Sequence, residues 1–186
     1  MTKDKLLEEA QNGNVEAFTS LVEACQSRLF AFALKMVHSR EEAEEIVQET
    51  LIRAYKNLWR YDGRAGFITW LYSIALNLCK SVMKRQKRAH ISLDSLLPHD
   101  HTPLYASRED PSEELMLLEY RREARRLMAF LKPDQRAALI LKYMDGLSYG
   151  QISHVLHISE EAAKMKVYRA KKEILKRYPG GVEHVL

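Results

Sequence analysis

Cysteine is nearly absent from this sequence: Cys25 and Cys79 are the only two among 186 residues. They form no paired framework and no CxxC spacing, which excludes a disulfide scaffold and a thiolate metal site. Each lies in an apolar-periodic run, where a free cysteine behaves as a small buried hydrophobe. Glycine and proline are scarce, at seven and five, whereas Ala, Leu, Glu, Lys and Arg are abundant, a balance that favours helices. No strand pattern of useful length and no fixed-period repeat occurs. No apolar run approaches the roughly 18 residues that suggest a membrane helix, and the first residues, MTKDKLLEEAQNGN, hold no signal-peptide core. The expectation is a cytoplasmic, all-α protein without direct membrane insertion.

Catalytic signatures are missing as well. There is no phosphate-binding glycine loop, no HExxH, no GxSxG and no paired ExxH. Glu41, Glu42, Glu44 and Glu45 cluster at a helix start, where the dipole favours carboxylates. His90, His99 and His101 lack a cysteine or carboxylate at ligand spacing. Hence no catalytic residue, no metal and no cofactor is expected.

What the sequence does hold is charge with a pattern. The net charge is +4, a balance that permits nucleic-acid binding without demonstrating it. Residues 1–90 carry +3, residues 91–112 carry −3, and residues 113–186 carry +4. Pro98, Pro103 and Pro111 fall in the acidic segment and stop any long helix there. Two basic helical modules joined by a flexible acidic linker follow as the expected organisation, with bounds at 1–90, 91–112 and 113–178.

Helical spacing places the elements. A short helix over 3–11 ends at Asn12-Gly13-Asn14. A second, over 15–37, buries Phe18, Leu21, Val22, Cys25, Leu29, Phe32, Ala33 and Met36. A third, over 41–58, is capped by Ser39. Its core stripe is Ala43, Val47, Leu51, Ala54 and Leu58. Glu45, Gln48, Glu49 and Ile52 then point away, either as an incidental surface or as an apolar centre with a polar rim for a partner. Residues 59–66 read as a loop with two glycines. A helix over 67–88 sets Phe67, Leu71, Ile74 and Leu78 inward and ends in KSVMKRQKR, five basic residues without an acid. Trp59, Tyr61, Phe67, Trp70 and Tyr72 either build core or stack on unpaired bases beside those cations.

In the second module Ser112 can cap a helix running to about Phe130, through Leu117, Tyr120, Ala124 and Leu127. Pro133 suits the first turn of a helix closed by Asp145-Gly146. Residues 147–172 then read as a helix-turn-helix. Ser148 and Ser159 are N-caps, His157-Ile158 is the break, and Ala163, Val167, Ala170 and Ile174 form one apolar face of the second helix. Lys164, Tyr168, Lys171 and Lys172 lie on another face. A basic helix anchored by one apolar stripe suits a major groove, although any such helix can also be a solvated surface.

Three stretches together resemble the extracytoplasmic-function (group 4) class of the sigma-70 family of bacterial RNA polymerase sigma factors. AEEIVQETLIRAYKNL (43–58) resembles the helix that binds the polymerase clamp. FITWLYSIALNLCKSVMKRQKR (67–88) resembles the helix that recognises the −10 element. LKPDQRAALILKYMDGLSYGQISHVLHISEEAAKMKVYRAKKEI (131–174) resembles the −35-recognition domain. The resemblance implies two helical domains, sigma regions 2 and 4, and a factor that binds core RNA polymerase and directs it to promoter DNA. Glu45, Gln48, Glu49 and Ile52 would face the clamp. Arg60, Tyr61, Arg64, Phe67, Trp70 and Asn77 would handle a base flipped from the −10 element, and Lys80, Lys84, Arg85 and Arg88 the backbone phosphates. Lys164, Met165, Tyr168 and Arg169 would approach the −35 groove, with Lys166 and Lys172 on flanking phosphates. Family members are commonly held inactive by a membrane-linked anti-sigma factor, which is implied here as a further partner.

Ser81 and Lys84 depart from the acid and arginine common in relatives after the asparagine. Met165 and Lys166 stand where a small polar residue and an arginine are common, so readout at Met165 would rest on apolar contact with a thymine methyl. A different class of reading is a stand-alone helix-turn-helix regulator with a helical sensing or dimerisation domain. It gives no reason for an acid-rimmed helix, an aromatic glycine loop and a basic helix end to occur together. A helical adaptor has no use for the basic recognition helix.

Overall fold

A computed structural model describes residues 3–92 and 125–177. Its elements are α1 (Lys3–Gln11), α2 (Val15–Val37), α3 (Arg40–Lys56), a 3-10 turn (Leu58–Arg60), α4 (Phe67–Ser92), helical residues 125–129, α5 (Pro133–Tyr143), α6 (Tyr149–Leu156) and α7 (Glu160–Arg177). No strand occurs among the described residues. The acidic linker and the start of the helix expected from Ser112 lie outside them.

Local chemistry explains the boundaries. Asn14 Oδ1 accepts from the Ala17 N–H at 3.1 Å and starts α2. Ser39 Oγ accepts from Glu42 at 3.3 Å and starts α3. Such caps satisfy N–H groups that a helix start leaves without partners. α2 ends on His38 in the left-handed region, φ 60°, with its N–H on Leu34 O. Pro133 opens α5, and Gly146 at φ +65° turns the chain out of it, so that the Leu147 N–H reaches Leu141 O at 3.0 Å. Only glycine takes that backbone conformation without a Cβ penalty.

In the first module α2, α3 and α4 pack together, with α1 against α2. Gln11 ties α1 to the following turn by donating to Leu58 O and Tyr61 O, at 3.1 and 2.9 Å. Leu29, Phe32, Ala33, Met36 and Ala43 are buried as expected. Two stripes are corrected. In α3, Ile46 and Thr50 are buried and Leu51 is only half-buried. Thr50 is tolerated inside because its hydroxyl donates to Ile46 O at 2.6 Å. In α4 the innermost residues are Phe67, Leu71, Tyr72, Ala75, Leu76 and Cys79, while Ile74 and Leu78 are half-buried. Apolar residues occur on several faces of α4, so spacing alone did not select the phase. Both cysteines are buried and outside any disulfide, as expected, and burial pushes Cys79 up to about 12.

The second module packs α5 and α6 on α7 and rests on the first, with α5 against α2 and α6 against α4. Between the modules sits Arg136, 5% exposed. Its guanidinium donates to Met36 O at 2.6 Å and Met128 O at 3.0 Å, and lies 3.5 Å from His38 Nε2. Burial first, and then the charges of Arg136 and Arg125, push His38 from 6.5 down to about 4. The folded state therefore refuses a proton that the unfolded chain accepts below about 6.5. This contribution to stability is full above that pH and is lost as pH falls toward about 4. Replacing His38 with Asn, which tolerates the left-handed region, should flatten that part of the profile. Thermal unfolding of both proteins between these pH values checks it; parallel curves would assign the acid sensitivity elsewhere.

Candidate nucleic-acid interface

Three outward faces carry the residues singled out by sequence. On α3, Glu45, Gln48 and Ile52 are exposed and Glu49 is half-buried. Steps of three and four residues put them on one side of the helix. Ile52 is 48% exposed, and Arg53 Nε closes an ion pair with Glu49 at 2.6 Å. Tyr55 and Trp59, at 41% and 68%, are also exposed large apolar groups near this end. The Arg60 guanidinium covers the Trp59 ring at 4.6 Å. Sequence reading missed Tyr55 as an exposed group; its three-residue step from Ile52 was the available signal.

The second face joins the 60–67 loop to α4. Tyr61 and Phe67 are core, at 8% and 2% exposure. Their rings lie 5.7 Å apart, and Trp70 approaches both, at 5.1 and 5.9 Å. Tyr61 Oη donates to Ala65 O at 2.5 Å and holds the loop from beneath. Tyr61 and Phe67, expected to handle an unstacked base, are packed in this structure against each other and against Trp70. Gly63, at φ +73°, turns the loop outward. Asp62 braces it by accepting from the Arg64 N–H at 3.1 Å. Arg60 and Arg64 are exposed and Trp70 is half-buried. Along α4, Asn77, Lys84, Arg85 and Arg88 are exposed. Arg85 lies 3.4 Å from Glu42, and Lys80 Nζ lies 2.6 Å from Asp134 Oδ1.

The third face is α7. Ser148 accepts from the Gln151 N–H at 3.1 Å while Gln151 Oε1 accepts from the Ser148 N–H at 2.9 Å, a reciprocal box that fixes the entry of α6. His157, at φ 54°, makes the tight turn, and Ser159 Oγ caps α7 through Ala162 N at 3.2 Å. Ala163, Val167, Ala170 and Ile174 are buried, as the spacing predicted. Lys164, Met165, Tyr168, Arg169 and Lys172 are exposed on the outer side. Lys166 is only half-buried, and its ammonium lies 3.4 Å from Asp134 Oδ2 rather than in open solvent.

These faces suit binding rather than bond-making. Exposed guanidinium and ammonium groups neutralise phosphate, and an apolar centre rimmed by acids suits a protein partner. Among the described residues no group of three or more His, Cys, Asp or Glu is placed to hold a metal. No described helix is long and apolar enough to cross a membrane. His99 and His101 lie outside the described residues.

Two family models match the chain: Sigma-70 region 2 over residues 21–89 and Sigma-70, region 4 over residues 121–174. The chain is 30% identical to the ECF RNA polymerase sigma-E factor of Escherichia coli, covering 94% of this chain and 93% of the relative. It is 29% identical to the RNA polymerase sigma-H factor of Pseudomonas aeruginosa, covering 91% and 90%. Among solved structures it shares its fold with the sigma factor RpoE of Bartonella quintana, solved with the anti-sigma factor NepR, at TM-score 0.68, 22% identity and coverage of 89% and 99%.

Burial separates supporting residues from contact residues. Tyr61→Ala and Phe67→Ala should each destabilise the fold by about 3–5 kcal/mol, whereas Arg64→Ala should stay within about 0.5 kcal/mol. Urea unfolding monitored by circular dichroism measures all three. A destabilising Arg64→Ala would show that the loop is held together by that guanidinium.

Proposed function

The chain belongs to the sigma-70 family as an extracytoplasmic-function sigma factor, and from that premise we propose how its surfaces share the work of promoter recognition. As an alternative sigma factor it binds core RNA polymerase and directs it to particular promoters. The proposed division keeps residues 1–90 for polymerase binding and the −10 element, residues 113–178 for the −35 element, and residues 91–112 as the connection. Glu45, Gln48, Glu49 and Ile52 on α3 meet the polymerase clamp, with Tyr55 extending the apolar centre. Arg60 and Arg64, with Trp70 and Asn77, receive an unstacked base of the −10 element above the floor made by Tyr61 and Phe67. Lys80, Lys84, Arg85 and Arg88 hold its phosphates. Lys164, Met165, Tyr168 and Arg169 enter the −35 groove, and Lys166 and Lys172 take the flanking phosphates.

The observation that carries this reading is the separation of an acid-rimmed apolar face on α3 from basic faces on α4 and α7. Each DNA-reading module alone makes few contacts. Polymerase holding both at a fixed spacing raises their effective concentration on one promoter. Trapping an unstacked base offsets part of the few kcal/mol that melting costs. No bond is made or broken by this chain, so the proposal assigns no catalytic residue. The Bartonella quintana complex supports an anti-sigma factor as a further partner. A cytoplasmic location, with retention at a membrane through such a partner, completes the proposal.

Run-off transcription with core polymerase and fragmented genomic DNA is the direct test, and absence of core binding or of any initiation would sink the reading. Ile52→Asp should weaken core binding by roughly thirty-fold, the loss expected for a central interface residue. Asn77→Ala should slow open-complex formation with core binding intact. Lys164→Ala and Tyr168→Ala should reduce initiation on the natural −35 sequence and not on a scrambled one.

A further inference from the structure

Five aromatic residues lie between positions 59 and 72, and four of them are packed. Tyr61, Phe67 and Tyr72 are buried, and Trp70 is half-buried against Tyr61 and Phe67. Trp59 is the exception, 68% exposed on the 3-10 turn. The Arg60 guanidinium covers one face of its indole, with Cζ 4.6 Å from the ring centroid. The turn itself is braced on both sides of Trp59. Leu58 is buried, the Arg60 N–H donates to Asn57 O at 2.9 Å, and the Tyr61 N–H donates to Leu58 O at 3.0 Å. Gln11 of α1 reaches across to donate to Leu58 O and Tyr61 O, at 3.1 and 2.9 Å. A large flat side chain is therefore held out in solvent on a fixed backbone, and such a group loses little freedom when it binds.

Charge decides which partner this indole suits. From Thr50 to Ser92 the only acid is Asp62, and Arg64 occupies it, through its backbone N–H at 3.1 Å and its Nε at 3.3 Å. Lys56, Arg60 and Arg64 flank Trp59 in the chain and are exposed. The proposed polymerase face is rimmed by Glu45 and Glu49 and fits a basic partner, which these cations would repel. A polyanion fits them. An aromatic ring among exposed cations binds unpaired bases, because every base offers a π-face and the cations take its phosphate. Trp59 and Tyr61 are two residues apart, so their Cα atoms are separated by at most about 7 Å. That is about two nucleotide rises of a stacked strand, at about 3.4 Å each. Trp59 thus lies within reach of the strand that the 60–67 loop is proposed to receive.

We infer that Trp59 is a stacking platform for an unpaired base of the −10 element, beside the nucleotide received by the loop. Base, indole and the Arg60 guanidinium form a three-layer stack. Duplex DNA hides the faces of its bases, so the contact forms only once the strands part, and it favours the open promoter. A π-face is common to all bases, so Trp59 contributes to opening and not to the choice of sequence. The arrangement also gives α1 a task, since Gln11 holds the turn that presents the indole.

This inference rests on assigning the 60–67 loop and α4 to the −10 element. Its test uses holoenzyme assembled from core polymerase and the full chain. The probe is a fork made from a promoter found by run-off transcription, duplex through the −35 element and carrying only the non-template strand across the −10 element. Trp59→Ala should weaken binding to the fork roughly five- to hundred-fold, the usual worth of one base–aromatic stack. Trp59→Phe should keep most of the affinity, whereas Trp59→Leu, apolar but not planar, should resemble alanine. All four proteins should bind core polymerase equally, and equally a duplex that stops before the −10 element. Circular dichroism should show unchanged helicity in each, because the position is exposed. Leucine as effective as phenylalanine, or alanine as effective as wild type, overturns the stack. Loss of core binding in Trp59→Ala overturns it too and moves the indole to the polymerase face. A wild type that binds the fork no better than the shortened duplex brings down the −10 assignment and the stack together. A fork bound through Asn77 but indifferent to Trp59 brings down the stack alone.

Discussion

The middle of helix α5 is buried on every side, and most of the architecture follows from that constraint. Ala137, Ala138, Leu139, Ile140 and Leu141 are five consecutive residues with no exposed surface. A surface helix shows a stripe, whereas one apolar all round must be enclosed. α5 meets that requirement by packing on α6 and α7 within its own module and on α2 of the other. Burying Leu139, Ile140 and Leu141 contributes roughly 1.5–3 kcal/mol each, against about 0.2–1 kcal/mol for an exposed ion pair. Apolar contact therefore supplies most of the attraction. It is non-directional, and the polar contacts at Asp145, Asp134 and Arg136 fix how the modules are set against each other.

Those polar contacts sit where α5 begins and ends. Asp134 and Arg136 lie in its first turns and Asp145 just beyond its last, so one short helix carries all three ties to the first module. Tyr72 shows the same economy from the other side. Its ring packs on Phe32 at 4.9 Å inside the first core, while its hydroxyl passes outward to Asp145. Burial, and then the hydrogen bond to Asp145, push the phenol upward, so it stays a neutral donor. A core residue of one module thus reports directly on the placement of the other.

Much of this was legible in the sequence. The stripes of α2 and α7, the serine caps at 39, 148 and 159, the proline entry to α5 and its Asp145-Gly146 exit follow from local rules that tertiary structure did not override. The exposed face of Glu45, Gln48 and Ile52 was legible because Ala43, Val47 and Ala54 opposite it are buried as expected, although Ile46 and Thr50 replace Leu51 inside. What failed had a common cause. The inner phase of α4, the burial of α5 against α2 and the pairing of Lys80 with Asp134 all depend on the second module resting on the first. Contacts between residues far apart in the chain leave no periodic trace. The aromatic loop was ambiguous for another reason: Tyr61 and Phe67 have the composition of a stacking platform, and only the structure shows that they pack on each other and on Trp70.

Lys166 brings these strands together. By position on α7 it belongs among the cations that flank a recognition helix, and by contact it neutralises Asp134 beside Lys80. The two roles exclude each other, because an ammonium held on a carboxylate is not available to a phosphate. A lysine suits such an alternation better than an arginine would. It is a compact point charge without a fixed fork, so it forms either contact without the bidentate geometry that would favour one of them. The lysine that looked like a weakening of DNA readout at this position is, in the folded chain, also a partner for a carboxylate of its own module, a contact that needs nothing from the first module.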